Sequence, residues 1–196
     1  MNILVDRETY LSKGVHIGMR AKSKDMEPYI YRVKKNKLAI IDLEKTDERI
    51  KQAAQFLSKF DPEEILLVSR KEEGWKPIVK FSEVTGAEEI YDRFMPGVLT
   101  NPNSDKFMEP KVVVVTDPLE DKQAVKEAVD AKIPIVAICD SANTLEFIDL
   151  VIPGNNKGKK SLGMIYYLLT REYLKATGEI EEDDEFELSV EDFTEE

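Results

Sequence analysis

The chain holds one cysteine, Cys139, and one histidine, His16, in 196 residues. Without a second cysteine there is no intrachain disulfide, which suits a reducing, cytoplasmic compartment. With one histidine, a zinc site of the usual His and Cys type lacks ligands, and a Ser-His-Asp arrangement would have to use His16. No apolar run approaches the ~18 residues of a spanning helix, and Met1 to Val5 is too short and uncharged to open a secretory signal, so neither membrane nor export is expected. Basic residues are missing altogether from residues 179–196, which carry eleven carboxylates. The formal charge of −11 therefore belongs to that stretch, and residues 1–178 carry 28 charges of each sign. A uniformly acidic chain would argue against a polyanionic partner; a neutral body with an acidic end does not.

What is present is enough for one sizeable core, with 42% apolar residue types. The expected organisation is a single α/β domain over residues 1–178, opening with a basic segment (1–37), and a disordered acidic tail over 179–196. From Leu38 onward, short aliphatic runs alternate with segments of helical period, the pattern of βαβ units and a parallel sheet. The runs are Leu38 to Asp42, Glu64 to Val68, Glu88 to Tyr91, Lys111 to Thr116, Ile133 to Cys139 and Leu150 to Ile152. Val112 to Val115 and Ile135 to Ile138 are continuously apolar, as expected of central strands covered on both faces. Ile50, Ala53, Ala54 and Leu57 mark a helix over about 44–59, which Asp61-Pro62 stops. Asp117-Pro118-Leu119-Glu120 reads as a capped helix start, and Leu162, Ile165, Tyr166, Leu169 and Tyr173 share one face of a last long helix ending at Gly178.

Two stretches break the alternation. Residues 13–37 carry Lys13, Arg20, Lys22, Lys24, Arg32, Lys34, Lys35 and Lys37 against Asp25 and Glu27, with Tyr29 and Tyr31 interleaved. Phosphate-neutralising and stacking groups in one segment suit folded RNA; a solvated hairpin with lysines on an exposed edge has the same composition. Like charge and modest apolar content predict that this is the most mobile part of the body, ordering when phosphate neutralises it. Residues 92–110 form a long connection punctuated by Pro96-Gly97, Asn101-Pro102 and Pro110, of the kind that is functional or mobile.

Gly154-Asn155-Asn156-Lys157-Gly158-Lys159-Lys160-Ser161 follows a strand and opens a helix, but a P-loop needs four residues between its glycines and has no second lysine inserted. It reads as a general phosphate site through Lys157, Lys159 and Lys160, or as a solvated loop. Asp117 and Asp140 end consecutive strands, where open α/β folds place ligands, so a small flavodoxin-like nucleotide-binding enzyme using them and the Gly154 to Ser161 loop is the alternative function. Each has an ordinary explanation in capping. Cys139 reads as a buried strand residue and His16, between Gly14 and Gly18, as a packed or hydrogen-bonded histidine.

Taken together, several motifs resemble the small-subunit ribosomal protein S-two family in its archaeal and eukaryotic form, which includes the laminin-receptor-like relatives. They are Gly14-Val15-His16-Ile17-Gly18, Lys24-Asp25-Met26-Glu27 with Tyr29-Ile30-Tyr31, and Asp42 to Ile50. The series continues with Arg93 to Pro102, Val115-Thr116-Asp117-Pro118 with Asp121-Lys122-Gln123-Ala124, Ile133 to Ala137, and Asp149 to Gly158. The resemblance implies a flavodoxin-like, doubly wound, mainly parallel sheet and a non-catalytic role in the small ribosomal subunit, on its solvent side between head and body. It implies ribosomal RNA and neighbouring ribosomal proteins as partners, with no small-molecule substrate, cofactor or metal. Bacterial members carry a long helical hairpin where this chain has only Pro102 to Pro110, and a second histidine where it has Met19-Arg20. The RNA-contacting residues expected are Lys13, Arg20, Lys22, Lys24, Arg32, Lys34, Lys35, Lys37, Lys157, Lys159 and Lys160.

Overall fold

A computed structural model describes residues 3–194. Four consecutive valines cannot lie on a half-exposed strand, and Val112–Val115 accordingly forms β5, buried on both faces at the centre of a five-stranded parallel sheet. Its other strands are β3 (Ile65–Ser69), β4 (Glu88–Tyr91), β6 (Ile135–Cys139) and β7 (Leu150–Pro153). The order β4-β3-β5-β6-β7 is the 2-1-3-4-5 winding of flavodoxin-like folds.

Side chains alternate along the strands between two cores. Ile65, Leu67, Val112, Val114 and Ile138 face one side, where they pack with side chains from α1 (Arg7–Lys13), α2 (Leu43–Leu57), α3 (Trp75–Thr85) and α5 (Lys159–Thr177). Leu66, Val68, Val113, Val115 and Cys139 face the other, which has α4 (Lys122–Asp130) alone among the helices. The long connection completes that layer. Phe94, Val98 and Leu99 are buried there, and Glu127 on α4 accepts hydrogen bonds from the Gly97 amide (2.7 Å) and the Leu99 amide (3.0 Å). Burying each such apolar side chain is worth about 1.5–3 kcal/mol, which offsets the cost of ordering the loop.

Three expectations are corrected. Leu38 to Asp42 does not enter the parallel sheet: β2 (Ala39–Ile41) pairs antiparallel with β1 (Ile30–Val33) as a separate hairpin. A three-residue buried strand carries no signal of which partner it takes. The helix expected at Asp117-Pro118 begins one turn later at Lys122; Asp117 Oδ1 still accepts the Leu119 amide (3.1 Å), but the turn it caps lies ahead of α4.

The acidic stretch after Gly178 is not a free tail. Residues 180–194 fold back over α5 with Phe193 fully buried and Phe186 nearly so, both against the ring of Tyr167. Ile180, Leu188 and Val190 pack on the same core, and Asp183 pairs with Arg171 and Lys175. Five apolar residues scattered at irregular spacing among carboxylates suffice to hold it. Glu195 and Glu196, counted in the expected tail, lie outside the described residues.

Candidate nucleic-acid interface

Open α/β sheets bind ligands beyond the carboxyl ends of their strands where the strand order reverses, here between β3 and β5. In this chain the crevice is filled from within. Lys71, after β3, and Lys157, after β7, both donate to Asp117 Oδ2, Lys157 from 2.9 Å. Asn143 Nδ2 donates to Asp117 Oδ1 (3.0 Å), while Asn143 Oδ1 accepts from the Asp140 amide (2.7 Å) and from Asn156 Nδ2 (3.1 Å). The turn at residues 72–74 closes the entrance: a Cβ on Gly74 would lie 2.2 Å from Ser69 Oγ and 3.0 Å from the Thr116 methyl.

The electrostatics follow from this packing. Burial works to raise the Asp117 carboxyl, but the two ammonium groups outweigh it and hold the group below the usual carboxylate range. Asp121 accepts the Arg70 amide (2.7 Å) and the Asp117 amide (3.0 Å), yet burial pushes its carboxyl up to about 7. Burial likewise raises Asp140 and the Cys139 thiol, so Cys139 is not an activated thiolate. Among the described residues no three His, Cys, Asp or Glu side chains are placed to hold a metal ion. The ligand-site reading of Asp117 and Asp140 is therefore corrected: Asp117 is the hub of an internal ion-pair network.

The basic segment is built differently. Residues 16–19 run along β2, with the Gly18 amide on the Ala39 carbonyl (3.0 Å), the Ala39 amide on the Met19 carbonyl (3.0 Å) and the Ile41 amide on the His16 carbonyl (2.9 Å). Ser141 then pins the following loop, accepting from the Met19 amide (2.8 Å) and donating to the Ala21 carbonyl (3.1 Å). The Ser23 amide reaches the Ser141 carbonyl (2.8 Å), and Met26 is fully buried. The segment is thus tied by backbone hydrogen bonds to β2 and, through Ser141, to the loop after β6, attachments that its charge and composition do not announce.

On this support Arg20, Lys22, Lys24, Arg32, Lys34, Lys35 and Lys37 are all exposed, and among the described residues none has an ion pair. Lys34, Lys35 and Lys37 form the hairpin tip, closed by the Lys34 amide on the Leu38 carbonyl (2.8 Å) with Lys37 in the left-handed region at φ 66°. Tyr31 stands 66% exposed beside them. Tyr29 does not join it as a stacking surface, since Arg49 lies 5.5 Å from its ring centroid and donates to its hydroxyl at 3.0 Å. His16 is half-buried, its Nδ1 buried without a hydrogen-bond partner among the described residues, and burial followed by Lys34 lowers its pKa.

The remaining expected cations are divided between places. Lys157 turns in to Asp117, while Lys159 and Lys160 lie on the first turn of α5, the latter exposed. Lys13 pairs with Glu191 at 2.7 Å. The 154–161 loop is therefore not one phosphate cradle. Sequence reasoning missed Lys76 and Lys80, one turn apart on α3, which share a cleft with Lys13 and Lys160. Their i, i+4 spacing was the available signal.

A doubly wound sheet whose ligand crevice is plugged by its own lysines, with a basic hairpin left open at the side, defines a binding scaffold rather than a catalytic one. The family model described as Ribosomal protein S2 matches residues 10–106 and 103–176, and the chain belongs to that family. It is 49% identical over 191 residues to the small ribosomal subunit protein uS2 of Thermoplasma volcanium, covering 97% of this chain and 96% of that one. It is 47% identical over 194 residues to the protein of the same description from Methanococcus maripaludis, covering 99% and 87% respectively.

Proposed function

We propose that the chain is a non-catalytic structural constituent of the small ribosomal subunit, associated with ribosomes in the cytoplasm. Its phosphate contacts are Arg20, Lys22, Lys24, Arg32, Lys34, Lys35 and Lys37. The observation that carries the reading is the set of seven exposed cations without an ion pair among the described residues, held on hydrogen-bonded backbone. Cations that contribute nothing to internal pairing remain available to displace counterions from a phosphate chain, and Tyr31 adds a face on which an unstacked base can rest. Small-subunit ribosomal RNA is the partner this chemistry fits, with neighbouring small-subunit proteins as further contacts. Family membership supports the ribosomal setting, and the filled crevice removes the nucleotide-binding alternative built on Asp117, Asp140 and the Gly154 to Ser161 loop.

The test is sucrose-gradient fractionation of cell extract with blotting for this chain, paired with binding of purified protein to a small-subunit ribosomal RNA transcript. The chain should run with small subunits. Changing Arg32, Lys34, Lys35 and Lys37 together to Gln should make the slope of log affinity against log salt shallower by about 3, at about 0.7 per phosphate contact on irregular RNA. Absence from the small-subunit peak, or a slope unmoved by the four changes, would overturn the assignment.

A further inference from the structure

A cavity of about 1130 Å³, open to solvent, lies between α3, the end of α1 and the start of α5. Its walls bring together Lys13, Lys76, Lys80 and Lys160 from three helices. Among the described residues three carboxylates line it, Glu83 from α3 and Glu191 and Asp192 from the acidic C-terminal stretch. We propose that this cleft is a second phosphate-binding surface, suited to an RNA backbone, and that residues 189–194 act as a built-in competitor for it. Only the nature of the ligand rests on the ribosomal reading above; the competition is a matter of charge.

The contacts of this strap are those that a polyanion would make. Glu191 accepts from Lys13 Nζ at 2.7 Å, and the Thr194 carbonyl accepts from Lys76 Nζ at 2.7 Å. The hydrogen bonds that Asp192 takes from Ser189 hold its carboxyl low, with Lys80 and Lys76 nearby adding to the effect. Lys80 is otherwise paired with Glu83 at 3.0 Å, and Lys160 has no ion pair among the described residues. Among the described residues, four ammonium groups face three carboxylates with the strap seated; without its two, they face Glu83. The position of the strap is fixed apart from these charges. Phe193 is buried against Tyr167, and a Cβ on Gly163 would come within 2.9 Å of the Phe193 carbonyl oxygen, so α5 is shaped to receive it. The carboxylates can therefore be neutralised while their backbone stays in place. Asn at 192 also keeps an oxygen for the Ser189 amide, which Asp192 accepts at 2.7 Å.

The experiment compares the full chain with its Glu191→Gln, Asp192→Asn double variant in binding to poly(U) and to a small-subunit ribosomal RNA transcript, each across a salt series. Affinity of the double variant for both should rise roughly three- to tenfold at low salt, and its log–log slope should steepen by about 1, since one or two lysines become free to meet phosphate. Adding Lys13→Gln and Lys80→Gln, the lysines facing Glu191 and Asp192, to the double variant should cancel the gain, which locates it in this cleft. Equal affinities and slopes for the full chain and the double variant would overturn the proposal, as would a gain that survives the two lysine changes. Failure of the ribosomal reading looks different: neither protein would run with small subunits, while the poly(U) comparison would still report on the strap.

Discussion

Two groups of lysines in this molecule do opposite work. At the strand ends Lys71 and Lys157 turn inward to Asp117, with side chains only 17% and 37% exposed, and close the crevice where a flavodoxin-like fold would hold a ligand. On the β1–β2 hairpin Lys34, Lys35 and Lys37 point outward and pair with no carboxylate among the described residues. The residue type is the same and the partner differs. A cation that finds an internal carboxylate becomes part of the fold; one that does not is left for an external anion. The comparison predicts that stability and RNA affinity respond to different lysines.

The largest effect on stability should come from Asp117→Ala, which leaves both ammonium groups and the Asn143 amide without their acceptor. Breaking such a partly buried network should cost about 3 kcal/mol, and the melting temperature should fall by about 6–12 °C. Loss of less than about 1 kcal/mol in a denaturant titration would mean that the two lysines simply turn to water and that the crevice is not held by this pair. A comparable loss, about 3 kcal/mol, is expected for Phe193→Ala, because the ring is fully buried against Tyr167. An unchanged melting temperature there would restore the view of residues 179–196 as a tail that packs on nothing.

Much of the fold was legible in the sequence because its signals are local. The four valines of β5 and the apolar run of β6 announce buried strands, and Asp42, whose side chain accepts the Glu44 amide at 3.1 Å, opens α2 one residue from where the apolar stripe places it. The role of Asp117 was not legible, since its partners Lys71 and Lys157 lie 46 and 40 residues away and a carboxylate before Pro118 reads equally well as a cap. The packed C-terminal stretch was hidden for another reason. Its Phe186, Leu188, Val190 and Phe193 fit a short strand or a short helical stripe equally well and so specify neither, and the surrounding carboxylates dominate any measure of composition. For the basic segment, charge was read correctly from the sequence, but its attachment through Ser141, more than a hundred residues on, was not.

Acidity gives a third way to separate the two regions. Asp121, raised to about 7 by burial, keeps a proton in the folded state that the unfolded chain releases near 4, so stability from this group is present below about 4 and is lost as pH rises toward 7. Asp140, also raised, adds in the same direction. Asp117, held low by its lysines, has the opposite sign: its contribution is present above the ordinary carboxylate range and is lost as pH falls through its folded value. Denaturant unfolding of Asp121→Asn across pH 4–8 should show a flatter profile than the parent protein; the same slope in both would mean that this carboxyl does not titrate there.

The smallest stability change belongs to the hairpin. Replacing Arg32, Lys34, Lys35 and Lys37 with Gln should alter stability by no more than about 0.5 kcal/mol, as for exposed side chains without partners, while weakening RNA binding. A large loss of stability would show that these cations support the fold and would erase the distinction.

The division between an open hairpin and a closed crevice is tested most directly by hydrogen exchange on the protein free and assembled into small subunits. Amides of residues 20–37 should gain protection on assembly, beyond what their backbone bonds already give in the free protein, while those of residues 117–121 and 140–143 should be protected in both states and change little. Protection gained at the strand ends with none across the hairpin would contradict the account.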